Sequence, residues 1–323
     1  MDGVHAAGRP TGAKLHVLFF LPPRIASLIE RLPAALVSDL KEIRLRVGRP
    51  VVVTDRRGRG WFVGPHGPAA DPLDAATFRQ EDAAEFLQII SRSSVYALEE
   101  EFRQGFVTLP GGHRVGLCGE VAVADGRPRT LRHVGSFTVR VAREVPGAAD
   151  AVLPKVAPGG ASPRHTLVIS PPGGGKTTLL RDLARQLAAR WQVAVIDERS
   201  EIAACWHGVP QLDVGPCTDV LDRCPKAAGV MQVLRGMAPQ VIITDEIGRP
   251  EDAAALLEAM NAGVAVVASA HGSSLEEVAA RPALRALFDP CGFDVVVVLG
   301  GARAPGTVTA VVEPVKRRTA ALE

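Results

Sequence analysis

The sequence Ser170-Pro171-Pro172-Gly173-Gly174-Gly175-Lys176-Thr177-Thr178 lies between an apolar run, Thr166 to Ile169, and a segment that places Leu179, Leu180, Leu183 and Leu187 on one helical face. Strand, glycine-rich turn and helix, in that order, are the context a phosphate-binding loop requires. Gly173, Gly174 and Gly175 lack Cβ, so the backbone can close around phosphate oxygens. The N–H groups of the turn and of the helix N-terminus point at the anion, and the helix dipole adds to them. Lys176 supplies a mobile positive charge for the β- and γ-phosphates, and Thr177 a hydroxyl for Mg²⁺. ATP and Mg²⁺ are therefore the expected ligands of the whole stretch from Ser170 to Thr178. The pattern G-x-x-x-x-G-K-[ST] has Gly where this chain has Ser170; so small a side chain is compatible with the turn provided its φ is negative.

Three further strand ends add to the loop. VIITDE, Val241 to Glu246, is an apolar strand closing on two acids. In a parallel sheet ligands sit at the carboxyl ends of strands, which places Asp245 to hold Mg²⁺ through water and Glu246 to orient or deprotonate an attacking water. VAVIDERSE, Val193 to Glu201, ends on Asp197, Glu198 and Glu201. One of these acids competes with Glu246 for the role of base, and a structural role, such as a pair with Arg199, is the equally open alternative. VAVVASAHGSS ends a strand at His271, where a polar group can hydrogen-bond a γ-phosphate and report its loss; a structural hydrogen bond is the plainer reading. The loop itself contains no arginine. Charge developing on a transferred phosphoryl group is often met by an arginine supplied in trans, and Arg199, Arg235, Arg140 and Arg143 are the candidates.

With 323 residues, 47% of them apolar, the chain has material for two domains with real cores. Its net charge of +2 excludes a strongly basic nucleic-acid binder. Residues 1–160 carry +4 and residues 161–323 carry −2, a split that ordinary solvated surface explains. Five cysteines with no C-x-x-C argue against a disulfide framework or a structural zinc site. No apolar run approaches the roughly 20 residues that span a bilayer, and the apolar core near the amino terminus is too short for a signal peptide. A cytoplasmic protein, at most peripheral to a membrane, is expected.

Along the chain, residues 1–13 read as a frayed tail and residues 24–40 as one or two short helices broken at Pro33. EIRLRVGRPVVVT reads as strand, turn and strand, with Ile43, Leu45 and Val47 on one face. Residues 55–76, rich in Gly, Pro and Arg, read as loop. Residues 80–104 read as helix, with Phe86, Ile89, Ile90, Tyr96, Leu98 and Phe102. The following segment, punctuated by Gly111-Gly112 and Asp125-Gly126, predicts a meander of short strands, and Phe137 to Glu144 alternates again. Residues 145–164 are Pro/Gly/Ala-rich and hold the expected domain boundary. Beyond it the predicted strands are Val193–Asp197, Val241–Asp245, Val264–Ala270 and Asp294–Leu299. These Val/Ile-rich runs suit a parallel sheet covered by helices on both faces.

Together these residues resemble the RecA-like ATPases of type II secretion, type IV pili and type IV secretion, and more narrowly the stage III sporulation protein AA family of endospore-forming bacteria. The stretches that carry the likeness are EIRLRVGRP, SSVYALEEEFRQGFVTLPGGHRVGLCGEV, FTVRVAREV, PPGGGKTTLLRDLAR, VIDERSEIAAC, TDVLDRCPKA and VIITDEIGRPEDAAAL, spanning about Glu42 to Val312. The resemblance implies a cytosolic ATPase on the mother-cell side of the forespore membrane, energising a secretion-like channel built by membrane proteins of the same operon. It also implies a hexameric ring, with nucleotide between domains and within reach of amino-terminal arginines, here Arg140 and Arg143. Ser170 in place of the first loop glycine, and a single His271 where secretion ATPases often have two histidines, depart from that pattern.

The expected fold is thus α/β: an α+β amino-terminal domain over residues 14–150 and a RecA-like ATPase domain over 151–323. The expected reaction is Mg²⁺-dependent hydrolysis of ATP to ADP and phosphate in a homo-oligomer. A small-molecule kinase on the same loop lacks an arginine-rich lid here. A nucleic-acid-stimulated ATPase needs stacking aromatics, and three Trp and one Tyr supply few, so nucleic acid is not an expected partner. A nucleotide-switched adaptor that hardly turns over is the remaining alternative.

Overall fold

A computed structural model describes residues 15–91, 105–124, 126–288, 292–302 and 304–314. The expected tail over 1–13 and the later part of the expected helix, with Tyr96, Leu98 and Phe102, lie outside the described residues. The chain divides into two compact units, Met1–Ala142 and Arg143–Glu323. Among the described residues no helix is long and apolar enough to cross a membrane.

The first unit begins with α1 (Pro23–Glu30) and α2 (Ala34–Ser38), separated as expected at Pro33, which caps the second. Strand β1 (Leu40–Arg46) buries Ile43 and Leu45 and exposes Arg44, the alternation of a half-buried strand. It pairs antiparallel with β2 (Val52–Asp55). Residues 55–76 are not simply loop: they contain β3 (Gly60–Gly64) and the short β4 (Gly67–Ala69). Trp61, Phe62 and Val63 are the strand formers there, and the Gly, Pro and Arg around them belong only to the turns.

Helix α3 (Gln80–Ser91) sets Phe86 against Phe137, with ring centroids 4.8 Å apart. The expected meander of short strands is instead β5 (Phe106–Thr108) followed by a hairpin of two long strands, β6 (Arg114–Ala124) and β7 (Arg127–Arg140). Gly119 does not break its strand. It sits at a bulge in the β6–β7 register, where a Cβ would lie 1.8 Å from the His133 carbonyl oxygen. The sheet runs β4-β3-β2-β1-β7-β6-β5.

In the second unit the stretch expected to hold the boundary is itself folded. It includes α4 (Leu153–Val156) and buries Ala149, Val152 and Val156 in the same core as Leu180 and Leu183. Then come β8 (Thr166–Ser170), α5 (Lys176–Leu187), β9 (Val193–Asp197), β10 (Thr218–Asp222), α6 (Lys226–Gly236), β11 (Val241–Thr244), α7 (Pro250–Asn261), β12 (Ala265–His271), α8 (Leu275–Ala279), β13 (Val295–Leu299) and β14 (Val308–Val312). The sheet order is β10-β9-β11-β12-β8-β13-β14. Every neighbouring pair is parallel except β13 and β14.

Strands β10 and β14 were not expected. Each is an edge strand, and its residues are half-buried or exposed rather than fully buried, so neither shows the continuous apolar run of the central strands. Helix α5 covers one face of the sheet, over Val168, Val195 and Ile243. Residues of α6 and α7 cover the other, over Ile169, Ile196 and Ile242. Burial on both faces is why the central strands read as unbroken Val and Ile. Strand β12 lies between β8 and β11, so His271 at its end stands between the phosphate-loop strand and the strand that leads to Asp245 and Glu246.

Candidate functional site

Ser170 is the last residue of β8, fully buried and with negative φ. Its hydroxyl donates to the Pro171 carbonyl at 2.8 Å. Gly173 and Gly175 have φ of 73° and 96°, the left-handed region that side chains avoid. Gly174 is required by space: a Cβ there would lie 2.4 Å from the Gly300 carbonyl and 2.4 Å from Ser170 Oγ. Gly175 begins α5 as its N-cap, with no side-chain cap and no acid in the first turn. The helix therefore presents uncapped N–H groups, the partners an anion needs.

Lys176 is buried. Its Nζ donates to the Ser170 carbonyl at 3.0 Å and approaches His271 Nδ1 at 3.1 Å. Burial pushes the ammonium below its ordinary pKa, while Glu246 and Asp245 pull it back up. Thr177 and Thr178 follow, half-buried, in the first turn. Because Ser170 already has a backbone shape that Gly accepts, Ser170→Gly is expected to keep nucleotide affinity and turnover near the parent's. A stability cost of about 0.5–1 kcal/mol follows from added chain entropy. A collapse of phosphate release in that variant would reveal a role for the hydroxyl.

Asp245 follows β11 and is 2% exposed. Burial pushes its carboxyl up to about 6, with Lys226 pulling the other way. Its Oδ1 accepts no hydrogen bond and lies 3.5 Å from Lys226 Nζ. Lys226 opens α6, is itself buried, and pairs also with Glu198. The sequence reading missed Lys226. Its available signal was a lysine in a helix's first turn, where the dipole disfavours a cation unless carboxylates face it.

Lys226→Met is expected to destabilise the chain by up to about 3 kcal/mol near neutral pH, since it strands a buried carboxylate. Asp245 has a folded-state pKa above the ordinary 3.8, so its ionisation opposes folding above about pH 6 and that cost is relieved as pH falls. The Lys226→Met penalty should accordingly shrink on acidification through that range. Urea denaturation at two pH values measures this, and a penalty that grows instead would contradict the pairing.

Glu246 has φ of 33°, a sparsely populated conformation for a residue with a side chain. The neighbouring strand holds it there: Glu246 N–H donates to Ser269 Oγ at 3.1 Å and Ile247 N–H to the Ser269 carbonyl at 2.8 Å. Both carboxylate oxygens are engaged, Oε1 at 2.8 Å from His271 Nε2 and Oε2 at 2.5 Å from Arg199 Nη1. Since the Lys176 ammonium can only donate, His271 Nδ1 accepts and the neutral ring's proton sits on Nε2, the nitrogen that faces Glu246. Arg199, Glu246, His271 and Lys176 thus form one chain across four strand ends.

The sequence profile described as sporulation stage III, protein AA matches residues 14–319. The chain belongs to the stage III sporulation protein AA family. It is 43% identical over 295 residues to stage III sporulation protein AA of Bacillus subtilis, an alignment covering 90% of this chain and 92% of that protein. Among solved structures, the ATPase DotB of Legionella pneumophila superposes with a TM-score of 0.56 at 15% identity, over 90% of this chain and 78% of that one. The pilus retraction motor PilT, crystallised with bound ADP, gives 0.52 at 14% identity, over 82% and 75%. The family member described here therefore has the RecA-like fold of secretion ATPases, as the sequence resemblance implied.

The other candidate residues of this family member are placed as follows. Arg199 pairs with Glu246, not with an acid of its own strand end. Asp197 is structural: it is fully buried and accepts the N–H groups of Glu201, Ile202 and Ala203 at 2.8–2.9 Å. Glu198 is held by Lys226. The backbone of Glu201 donates to Asp197 and accepts from Arg181, a buried arginine that the sequence reading also missed. Arg181 Nη1 reaches the Arg143 carbonyl at 3.3 Å, and Nε and Nη2 of Arg143 are buried. Arg140 belongs to the first unit, where it faces Glu42 at 3.8 Å and is mostly exposed. Arg235 is exposed in the last turn of α6, just before β11 begins. That is the amino edge of the sheet, opposite the glycine-rich turn.

Mg²⁺ fits the residues present. Oxygen donors suit a hard cation that takes only one or two protein ligands beside phosphate and water. Asp245 Oδ1 is a buried acceptor with no hydrogen bond, and Thr177 stands in the first turn of α5.

Proposed function

We propose that this chain is a Mg²⁺-dependent ATPase that converts ATP to ADP and phosphate and energises a sporulation secretion channel. The carrying observation is the convergence at one sheet edge of an uncapped helix N-terminus, the buried Lys176, the buried Asp245 and the strained Glu246. The loop N–H groups and Lys176 bind the β- and γ-phosphates, Thr177 and Asp245 hold Mg²⁺, and Glu246 takes a proton from the attacking water. Mg²⁺, when bound, neutralises charge on the phosphate oxygens. DotB is described as an ATPase and PilT as a motor seen with ADP, and these descriptions support the reading.

The amino-terminal unit, expected over residues 14–150 but ending at Ala142, serves as the domain that moves during turnover, and the ATPase unit, expected over 151–323, begins at Arg143; both belong to a cytoplasmic ring, by analogy a hexamer. The ring is peripheral to the membrane and touches the cytosolic parts of its membrane partners. An arginine from a neighbouring subunit completes the site. Arg140 and Arg235 are exposed and suited to that role, and the buried nitrogens of Arg143 make it less so.

Activity is therefore expected to rise more steeply than linearly with protein concentration until assembly saturates. Arg140→Ala or Arg235→Ala should bind ATP yet hydrolyse it about 10³–10⁵-fold more slowly. Mixing the affected variant with Lys176→Ala should restore part of the activity, since each brings the half-site the other lacks. Strict proportionality of rate to concentration, with a monomeric mass at saturating ATP, would remove the trans arginine.

A further inference from the structure

Arg199 is the arginine of the Glu246 chain, and the ATPase reading leaves it unused. It follows β9, on the far side of Glu246 from Lys176, and its Nη1 lies 2.5 Å from Glu246 Oε2. Its backbone is fixed. Asp197 accepts three N–H groups from residues 201–203, and Ser200, with φ of 55°, donates to the Asp197 carbonyl at 3.3 Å. Its side chain is not: it remains 56% exposed. A long guanidinium on a rigid anchor, held by a half-exposed ion pair, exchanges partners easily, because such pairs are weak in water.

Resting on the ATPase reading, we infer that Arg199 distinguishes nucleoside triphosphate from diphosphate by exchanging the Glu246 carboxylate for the terminal phosphate of ATP. A γ-phosphate offers more negative charge and more acceptor oxygens than a carboxylate, and a planar guanidinium matches it bidentately. The attacking water lies between Glu246 and that phosphate, so the γ-phosphate is the phosphate next to Glu246. The β-phosphate is one phosphate unit further away, so ADP leaves Arg199 on Glu246. Both Glu246 oxygens are occupied by close ion-pair contacts in the structure, Oε1 with His271 Nε2 and Oε2 with Arg199 Nη1. Transfer of Arg199 frees one of them for the water only when there is a phosphate to attack. Arg199 is thus a specificity and positioning residue, coupling recognition of the triphosphate to release of the base.

The test is calorimetric titration of the full chain, with Mg²⁺, by ADP and by a non-hydrolysable ATP analogue. Arg199→Gln should bind ADP as the parent does and lose roughly tenfold or more in affinity for the triphosphate, with Arg199→Lys recovering part of the loss. Glu246→Gln, which weakens the competing partner, should tighten the triphosphate in the parent background but not beside Arg199→Gln. An unchanged ratio of the two affinities in Arg199→Gln overturns the inference and leaves the ATPase reading standing. Equal loss of both nucleotides also overturns it, since that marks a merely structural arginine. A parent chain that binds neither nucleotide overturns the ATPase reading and this inference with it.

Discussion

Glu246→Gln is expected to bind ATP at least as tightly as the parent while turnover falls by about 10²–10⁴-fold, the usual contribution of a general base. The substitution keeps size and the strained backbone position, so binding by the phosphate loop is untouched. It removes the acceptor for the water's proton. It also disturbs the local hydrogen bonding in a predictable way. Arg199 Nη1 and His271 Nε2 each face one oxygen of the carboxylate, and an amide offers one oxygen and one NH₂. One donor must therefore face another donor, which loosens the chain through His271 to Lys176. Rapid-quench measurement of phosphate release beside equilibrium binding separates the two effects. If Glu246→Gln stays active and Glu201→Gln is dead, the base belongs to the acidic strand end after β9. Glu198 is a poor candidate, because Lys226 holds its carboxylate.

Lys176→Ala is expected to weaken nucleotide binding by about 10²-fold, the worth of a charge-assisted hydrogen bond, and to abolish detectable hydrolysis. The ammonium is buried beside the loop, where it reaches Ser170, Pro171 and His271. Its removal takes away the cation for the β- and γ-phosphates and leaves His271 Nδ1 without its donor. The fold should survive, since the Leu179, Leu180 and Leu183 contacts of α5 do not involve Lys176. A denaturation midpoint close to the parent's checks that. Parent-level hydrolysis by the variant would show that the loop is not the phosphate site.

What could be read in advance follows from how local each feature is. The glycine-rich turn was legible because its constraints are written in adjacent residues. Gly173 and Gly175 have positive φ and Gly174 has no room for a Cβ, and only glycine meets either demand. The central strands were legible because burial on both faces demands unbroken apolar runs, as at Val193–Asp197. Edge strands β10 and β14 carry no such demand and went unseen. Strand β3 was hidden because the turns around Trp61 and Val63 dominate the composition of residues 55–76.

Pairings made across the sheet were not legible. Asp245 was marked out by its strand, but its buried counter-ion Lys226 lies at the start of α6, the helix that precedes β11, and the link is tertiary. The same holds for His271: only the strand order, with β12 between β8 and β11, places it between Lys176 and Glu246. Four arginines were equally eligible from sequence. The fold separates them, with Arg199 on Glu246 and Arg235 at the opposite edge of its sheet.

The central claim is that this site hydrolyses ATP. The most direct measurement is a single-turnover reaction, with the purified full chain in excess over Mg²⁺-ATP at a concentration that saturates assembly. The account predicts stoichiometric appearance of ADP and phosphate from the parent chain and intact ATP from Lys176→Ala prepared in parallel. ATP recovered intact from the parent, or equal conversion by both preparations, would contradict it.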